Sequence, residues 1–191
     1  MTAGQRVQSL ALGLLLIGAL WAGLSLRSAG AAEAPTESQV EAVFLFNFAH
    51  FVEWPAAAFP SPAEPFVIGV LGSDPFGSRL DEAIRGEQLN GHPLVVRRFQ
   101  NPAEIDRCEI LFIDRSESGR LRSILTALDG RNTLTVSQAD GAAERGVMIQ
   151  FVTDKNRIRL RINVESARAA GLTISSKLLR PADIVGSRSQ D

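Results

Sequence analysis

Three kinds of hydrophobic pattern recur along the chain, and each predicts a different element. Phe66–Leu71 and Ile110–Ile113 are apolar without alternation, as expected of strands buried on both faces of a sheet. Thr133–Val136 reads as a further short strand, and Pro93–Phe99 follows the turn signal Asn90-Gly91 as another. A second pattern has helical spacing. Val40, Phe44, Phe48 and Phe51 recur every three or four residues, with Val43 and Val52 broadening the stripe, and predict a helix over 37–53. Thr36 and Gln39 have capping-box spacing at its start, Trp54-Pro55 stops it, and Asn47, His50 and Glu53 form a polar strip on another side. The third pattern is alternation: Ile158, Leu160 and Ile162 interleave with Arg157, Arg159 and Arg161, so one strand face is apolar and the other basic. With 147–153 and the turn residues Asp154-Lys155-Asn156 this strand forms a hairpin.

Between these elements, Gly72 turns the chain, Ser73 or Asp74 caps a helix, and Pro75 suits its first position, predicting a helix over about 75–85. A helical turn over 101–107 is expected next. Ser116 or Ser118 starts a helix that ends near Leu128 with Gly130 as its stop, and 165–170 forms a short one closed by Gly171 before 172–179 finishes the fold. Strands alternating with helices, followed by a hairpin, predict an α/β fold: a single-domain three-layer αβα sandwich with a mostly parallel sheet and an antiparallel edge hairpin.

Arg6, the apolar run from Leu10 to Leu26 and the small residues Ala29-Gly30-Ala31 read as a signal peptide over 1–31, leaving 32–191 as the domain. An uncleaved membrane anchor is the other reading of that run. Export places the mature domain outside the cytoplasm. The formal net charge of −1 gives no general attraction to nucleic acid, whose binding requires neutralising many phosphates. Cys108, the one cysteine, excludes an intramolecular disulfide, and its place beside Ile110–Ile113 suits a buried, inert thiol.

Candidate chemistry is sparse. Gly72–Arg79 has the glycine spacing of a phosphate loop without its lysine, since Ser78-Arg79 stand there. His50 and His92 are the only histidines; there is no G-x-S-x-G elbow, and His92, in a turn beside Pro93, suits a surface or capping role. No catalytic residue, metal site or cofactor is expected. Parallel strands would bring three loops to one sheet edge, offering Ser73, Asp74, Phe76, Ser116, Glu117, Ser137 and Asp140 around a small-ligand cleft. The alternative is that each polar residue there is only a helix cap. Asn47, His50, Arg157, Arg159 and Arg161 are the candidates for a partner interface, with edge protection the competing reading of the arginine row.

The stretches EAVFLFNFAHFVEWP, FVIGVLGSDPFG, LNGHPLVVRRF, CEILFI, LTVSQADG and INVESARAAGLTISSKLL, in that order between Gln39 and Val185, resemble the YfiR family of exported α/β proteins. The resemblance implies a periplasmic regulatory protein that represses a membrane diguanylate cyclase by protein–protein contact, with the periplasmic part of an inner-membrane diguanylate cyclase or sensor protein as its partner. Such a protein is relieved by an outer-membrane lipoprotein and so links envelope stress to cyclic di-GMP and biofilm formation. It also implies a homodimer and stabilising disulfides. Cys108 falls where the family carries a cysteine, but its partner is missing, which leaves open whether redox control carries over. The alternative function is a periplasmic small-molecule sensor that uses the cleft at the strand ends.

Overall fold

A computed structural model describes residues 35–186, apart from positions 60, 62 and 156; the expected signal peptide lies outside the described residues. The predicted first helix, α1, spans Glu37–Phe51, and its N-terminus closes with the capping box: the Thr36 hydroxyl accepts the Gln39 N–H, and the Gln39 side chain accepts the Thr36 N–H. Its buried side is shifted from the one the aromatic spacing predicts, with Phe48 central to both and Val52 also buried. Glu41, Ala42, Leu45, Phe48 and Ala49 face inward, and Val43 is 51% exposed. The small side chains of Ala42 and Ala49 let the helix approach the sheet closely, while Phe44 and Phe51 lie at the flanks.

After α1, β1 (Val52–Glu53) leads into the described part of the loop before β2 (Phe66–Leu71), the strand on which the rest is hung. Then follow α2 (Ser78–Ile84), β3 (Gln88–Leu89), β4 (His92–Phe99), β5 (Ile110–Ile113), a 3₁₀ turn over Arg115–Arg120 and α3 (Leu121–Ala127). β6 (Leu134–Ser137), β7 (Ile149–Asp154), β8 (Arg157–Asn163), α4 (Val164–Ala169), β9 (Thr173–Ile174), α5 (Ser176–Leu179) and β10 (Asp183–Val185) complete the chain. The main sheet runs β10-β8-β7-β6-β5-β2-β4-β3, with β4, β2, β5, β6 and β7 mutually parallel and β7–β8 the antiparallel hairpin. β1 and β9 form a separate antiparallel pair.

Because side chains alternate along a strand, the two faces of β2 feed two cores. Phe66, Ile68 and Val70 pack with Phe112, Val136 and Phe151 under α1 and α2; Val67 and Leu71 pack with Leu111, Ile113 and Cys108 under α3. This is the three-layer arrangement that continuously apolar strands require. Gly69 sits where β2 crosses the second core: a Cβ there would lie 2.7 Å from Cys108 Sγ and 2.8 Å from Phe99 Cε2. Gly69→Ala is therefore expected to destabilise the domain by roughly 1–3 kcal/mol through overpacking; urea unfolding measures it, and an unchanged midpoint would show that the second core yields freely. Cys108 is buried with its thiol donating to the Ile110 carbonyl at 2.7 Å, and burial pushes its ionisation well up, so it stays a thiol.

Further elements differ from the sequence-based expectation. The second helix starts at Ser78, not Pro75, because the Asp74 side chain accepts the Phe76 and Gly77 N–H groups and turns the chain first. His92 is not in a surface turn: it begins β4, is 8% exposed, stacks on Phe59 (4.6 Å between ring centroids) and has Nδ1 2.8 Å from the Glu64 carbonyl. The hairpin strand β8 is not a free edge along its whole length, since β10 pairs in parallel with Arg161–Asn163.

Candidate functional site

The parallel register aligns the strand ends. Phe99, Leu71, Ile113, Ser137 and Gln150 form one row across β4, β2, β5, β6 and β7, so the loops leaving β2, β5 and β6 open on the same edge. The connection leaving β2 runs to β4 on one side and the connection leaving β5 runs to β6 on the other, which makes the β2/β5 boundary the switch point where α/β sheets bind ligands.

At that boundary the loops touch. The Ser73 N–H donates to the Ser116 hydroxyl (3.3 Å), and Gly72, at φ +89°, leaves room that a Cβ would lose, 2.8 Å from Ser116 Oγ and 2.9 Å from Glu117 Cγ. Glu117 is buried and pairs with Arg120 at 2.7 Å. Ser73, Ser116 and Glu117 are thus brought together. The other four predicted residues go elsewhere. Asp74 Oδ2 accepts from Arg98 Nε at 2.7 Å, and Arg98 also holds Asp81 at 2.6 Å and the Gly77 carbonyl at 2.8 Å, so this cluster clamps the β2–α2 loop onto β4. Phe76 is a core residue, edge-on to Phe112 (4.7 Å). Ser137 is fully buried and uses its hydroxyl on the Ile113 carbonyl (2.7 Å) and the Ala139 N–H. Asp140 lies one strand further along, on a cavity of about 400 Å³ with Arg115, Ser118, Gln138 and Arg145.

Two buried carboxyl groups at this edge escaped the sequence reading. Asp114 caps the turn after β5: one oxygen accepts the Ser116 N–H and the other the Gln138 amide, both at 2.8 Å. Glu41 reaches the same region from α1, 1% exposed, with Oε1 unpartnered. Burial, with Glu37 and Asp114 nearby, raises its pKa to about 7, against the opposing pull of Arg115. A charged residue amid the helix's aromatic stripe was the only sequence signal for it, and helices carry many such residues on their solvent side.

The predicted interface residues divide between two surfaces. On α1, Val43 and His50 are exposed and Asn47 half-buried at helical spacing, and the His50 ring lies edge-on at 5.0 Å to Phe46, which is half-buried against the core. Leu160 and Ile162 join the core beneath α1, so the alternating arginines of β8 project from the other face of the sheet. There Arg159 pairs with Asp154 at 3.2 Å and Arg161 with Glu144, while Arg157 is exposed beside the hairpin turn. Among the described residues no group of three or more His, Cys, Asp or Glu side chains is placed to hold a metal, and no helix is long and apolar enough to cross a membrane.

Comparison with known proteins adds one decisive match: the YfiR/HmsC-like family, over residues 38–183. The chain belongs to the YfiR/HmsC-like family. No curated protein matches it. Among solved structures, this YfiR/HmsC-like chain is similar to the ABC domain in complex with L-Trp from Streptococcus pneumoniae, at 13% identity and TM-score 0.51, over 78% of this chain and 60% of that one. It is equally similar to a conserved domain protein from Vibrio cholerae O1 biovar El Tor, at 13% identity and TM-score 0.52, over 79% of this chain and 60% of the other. The chain spans about 60% of the length of each, and at this identity the likeness is one of fold.

Proposed function

We propose that this YfiR/HmsC-like protein is a periplasmic regulator of cyclic di-GMP signalling that represses a membrane diguanylate cyclase by contact with the cyclase's periplasmic part. The family match over residues 38–183 carries this reading. The outward stripe of α1 gives it a surface: Val43 and Ile184 are the exposed large hydrophobic residues of the described chain, and Val43 is flanked by Phe46 and His50. An apolar, aromatic strip on a rigid helix is the kind of anchor from which interfaces draw most of their energy. Repression requires only that the protein bind the inactive cyclase more tightly than the active one; moving it from mostly on to mostly off takes a preference on the order of 10⁴-fold. An outer-membrane lipoprotein that relieves repression, and a homodimer, belong to the same proposal.

The test is cyclic di-GMP in cells lacking the gene. A rise on deletion is expected, reversed by the exported protein and not by a form without residues 1–31. Val43→Asp, at a position 51% exposed, is expected to leave the melting temperature unchanged and to fail in restoring repression. Full restoration by Val43→Asp would move the interface off α1, and no rise on deletion would reject the repressor reading. A second reading, a periplasmic small-molecule sensor, is favoured by the cavity of about 400 Å³ beside Asp140 at the strand ends.

A further inference from the structure

The loops leaving β5 and β6 line that open cleft of about 400 Å³, within the size range of small-molecule sites. Two guanidinium groups line it, Arg115 from the turn after β5 and Arg145 from the β6–β7 loop. Both side chains are exposed, and neither forms an ion pair among the described residues. Most arginines on the sheet behave differently: Arg97, Arg98, Arg159 and Arg161 each hold a carboxylate. Arg145 is fixed at the rim by donating to the Ser118 carbonyl at 3.1 Å. Asp114, the nearest buried acid, has both oxygens committed, one to the Ser116 N–H and one to Gln138. What faces the cavity is therefore two positive charges and the single carboxylate of Asp140.

Two arginines against one carboxylate give the cleft a net positive charge, and each guanidinium presents a planar fork of donors matched to an oxyanion. We propose that this cavity binds a small organic oxyanion, with a phosphate or carboxylate group held between Arg115 and Arg145 and a hydroxyl or ammonium of the same ligand donating to Asp140. The proposal rests on the sensor reading and names its ligand chemistry.

The test uses the purified exported protein with inorganic phosphate and with citrate, each against sodium chloride at matched ionic strength, by thermal unfolding and calorimetric titration. A rise in melting temperature that grows with phosphate or citrate beyond the chloride control is expected. Arg115→Ala and Arg145→Ala should each weaken binding at least tenfold, and Arg115→Lys, which keeps the charge but not the fork, should fall between them and the native protein. Arg180→Ala, at an exposed arginine of the C-terminal segment, should bind as the native protein does. A response to phosphate alone assigns the site to phosphate esters, and one to citrate alone to carboxylates. Equal shifts in chloride, or undiminished binding by both alanine variants, would overturn the proposal. That failure is separate from the repressor reading, which is judged on cyclic di-GMP in cells.

Discussion

Glu41→Gln is expected to abolish most of the dependence of stability on pH between about 4.5 and 7 and to stabilise the domain at pH 8 by roughly 3 kcal/mol. Glu41 is 1% exposed with Oε1 unpartnered, and its pKa is raised from 4.5 to about 7. Below 4.5 the carboxyl is protonated both folded and unfolded, and its titration makes no difference. As pH rises towards 7 the unfolded chain releases the proton while the folded one retains it, so stability falls through this window. Above 7 both states are ionised, and the folded state carries the full penalty of a buried charge. At about 1.4 kcal/mol for each pH unit between the two pKa values, the loss is ~3 kcal/mol. Glutamine keeps the shape of the protonated acid and cannot ionise. Asp81, whose pKa is lowered chiefly by its hydrogen bond from Arg98, acts in the opposite sense at more acid pH, where its contribution is lost, and does not mask the effect. Urea unfolding of both proteins at pH 5 and pH 8 decides the matter; parallel losses in the two would remove Glu41 from the account.

Phe48→Ala should cost more, on the order of 3–5 kcal/mol, the usual range for removing a fully buried aromatic side chain. Phe48 has no exposed surface, stacks on Phe151 of β7 at 5.9 Å and meets Phe44 at 6.0 Å, so it pins α1 to the sheet. The cavity it leaves lies between a helix and strands whose register is held by backbone hydrogen bonds, and the site has little freedom to collapse. The expected result is a large fall in the urea midpoint with an unchanged slope; a loss below ~1 kcal/mol would mean that α1 contributes little to the stability of the fold.

Both effects concern the buried side of α1, where periodicity placed Phe48 correctly and left Glu41 unplaced. The helix itself was legible, down to its capping box, but it is apolar nearly all round, and aromatic spacing alone could not say which side meets the sheet. Val43, expected to broaden the buried stripe, faces out, and Glu41 faces in. Ser73, Ser116 and Glu117 were legible as neighbours because a parallel sheet brings strand ends together. Phe76 and Ser137 were also correctly placed near that edge, but their side chains enter the core, a matter of direction that sequence position does not carry. Arg115 and Arg145 carry no signal in the sequence, since nothing local distinguishes them from the arginines that find a carboxylate.

The sequence by itself determined the elements and their class: strands apolar on both faces demand helices on both sides, and a strand–helix alternation demands a mostly parallel sheet. Those are local and periodic properties, set by what each segment must bury. The tertiary structure alone decided which carboxylates are paired, which arginines are left facing a cavity, and that Glu41 sits buried beside Asp114 and Arg115. These depend on contacts that no local pattern carries, such as Asp74 with Arg98, 24 positions on, and Glu41 of the first helix with Asp114 after β5, and their energies arise from desolvation and charge proximity that exist only once the chain has packed.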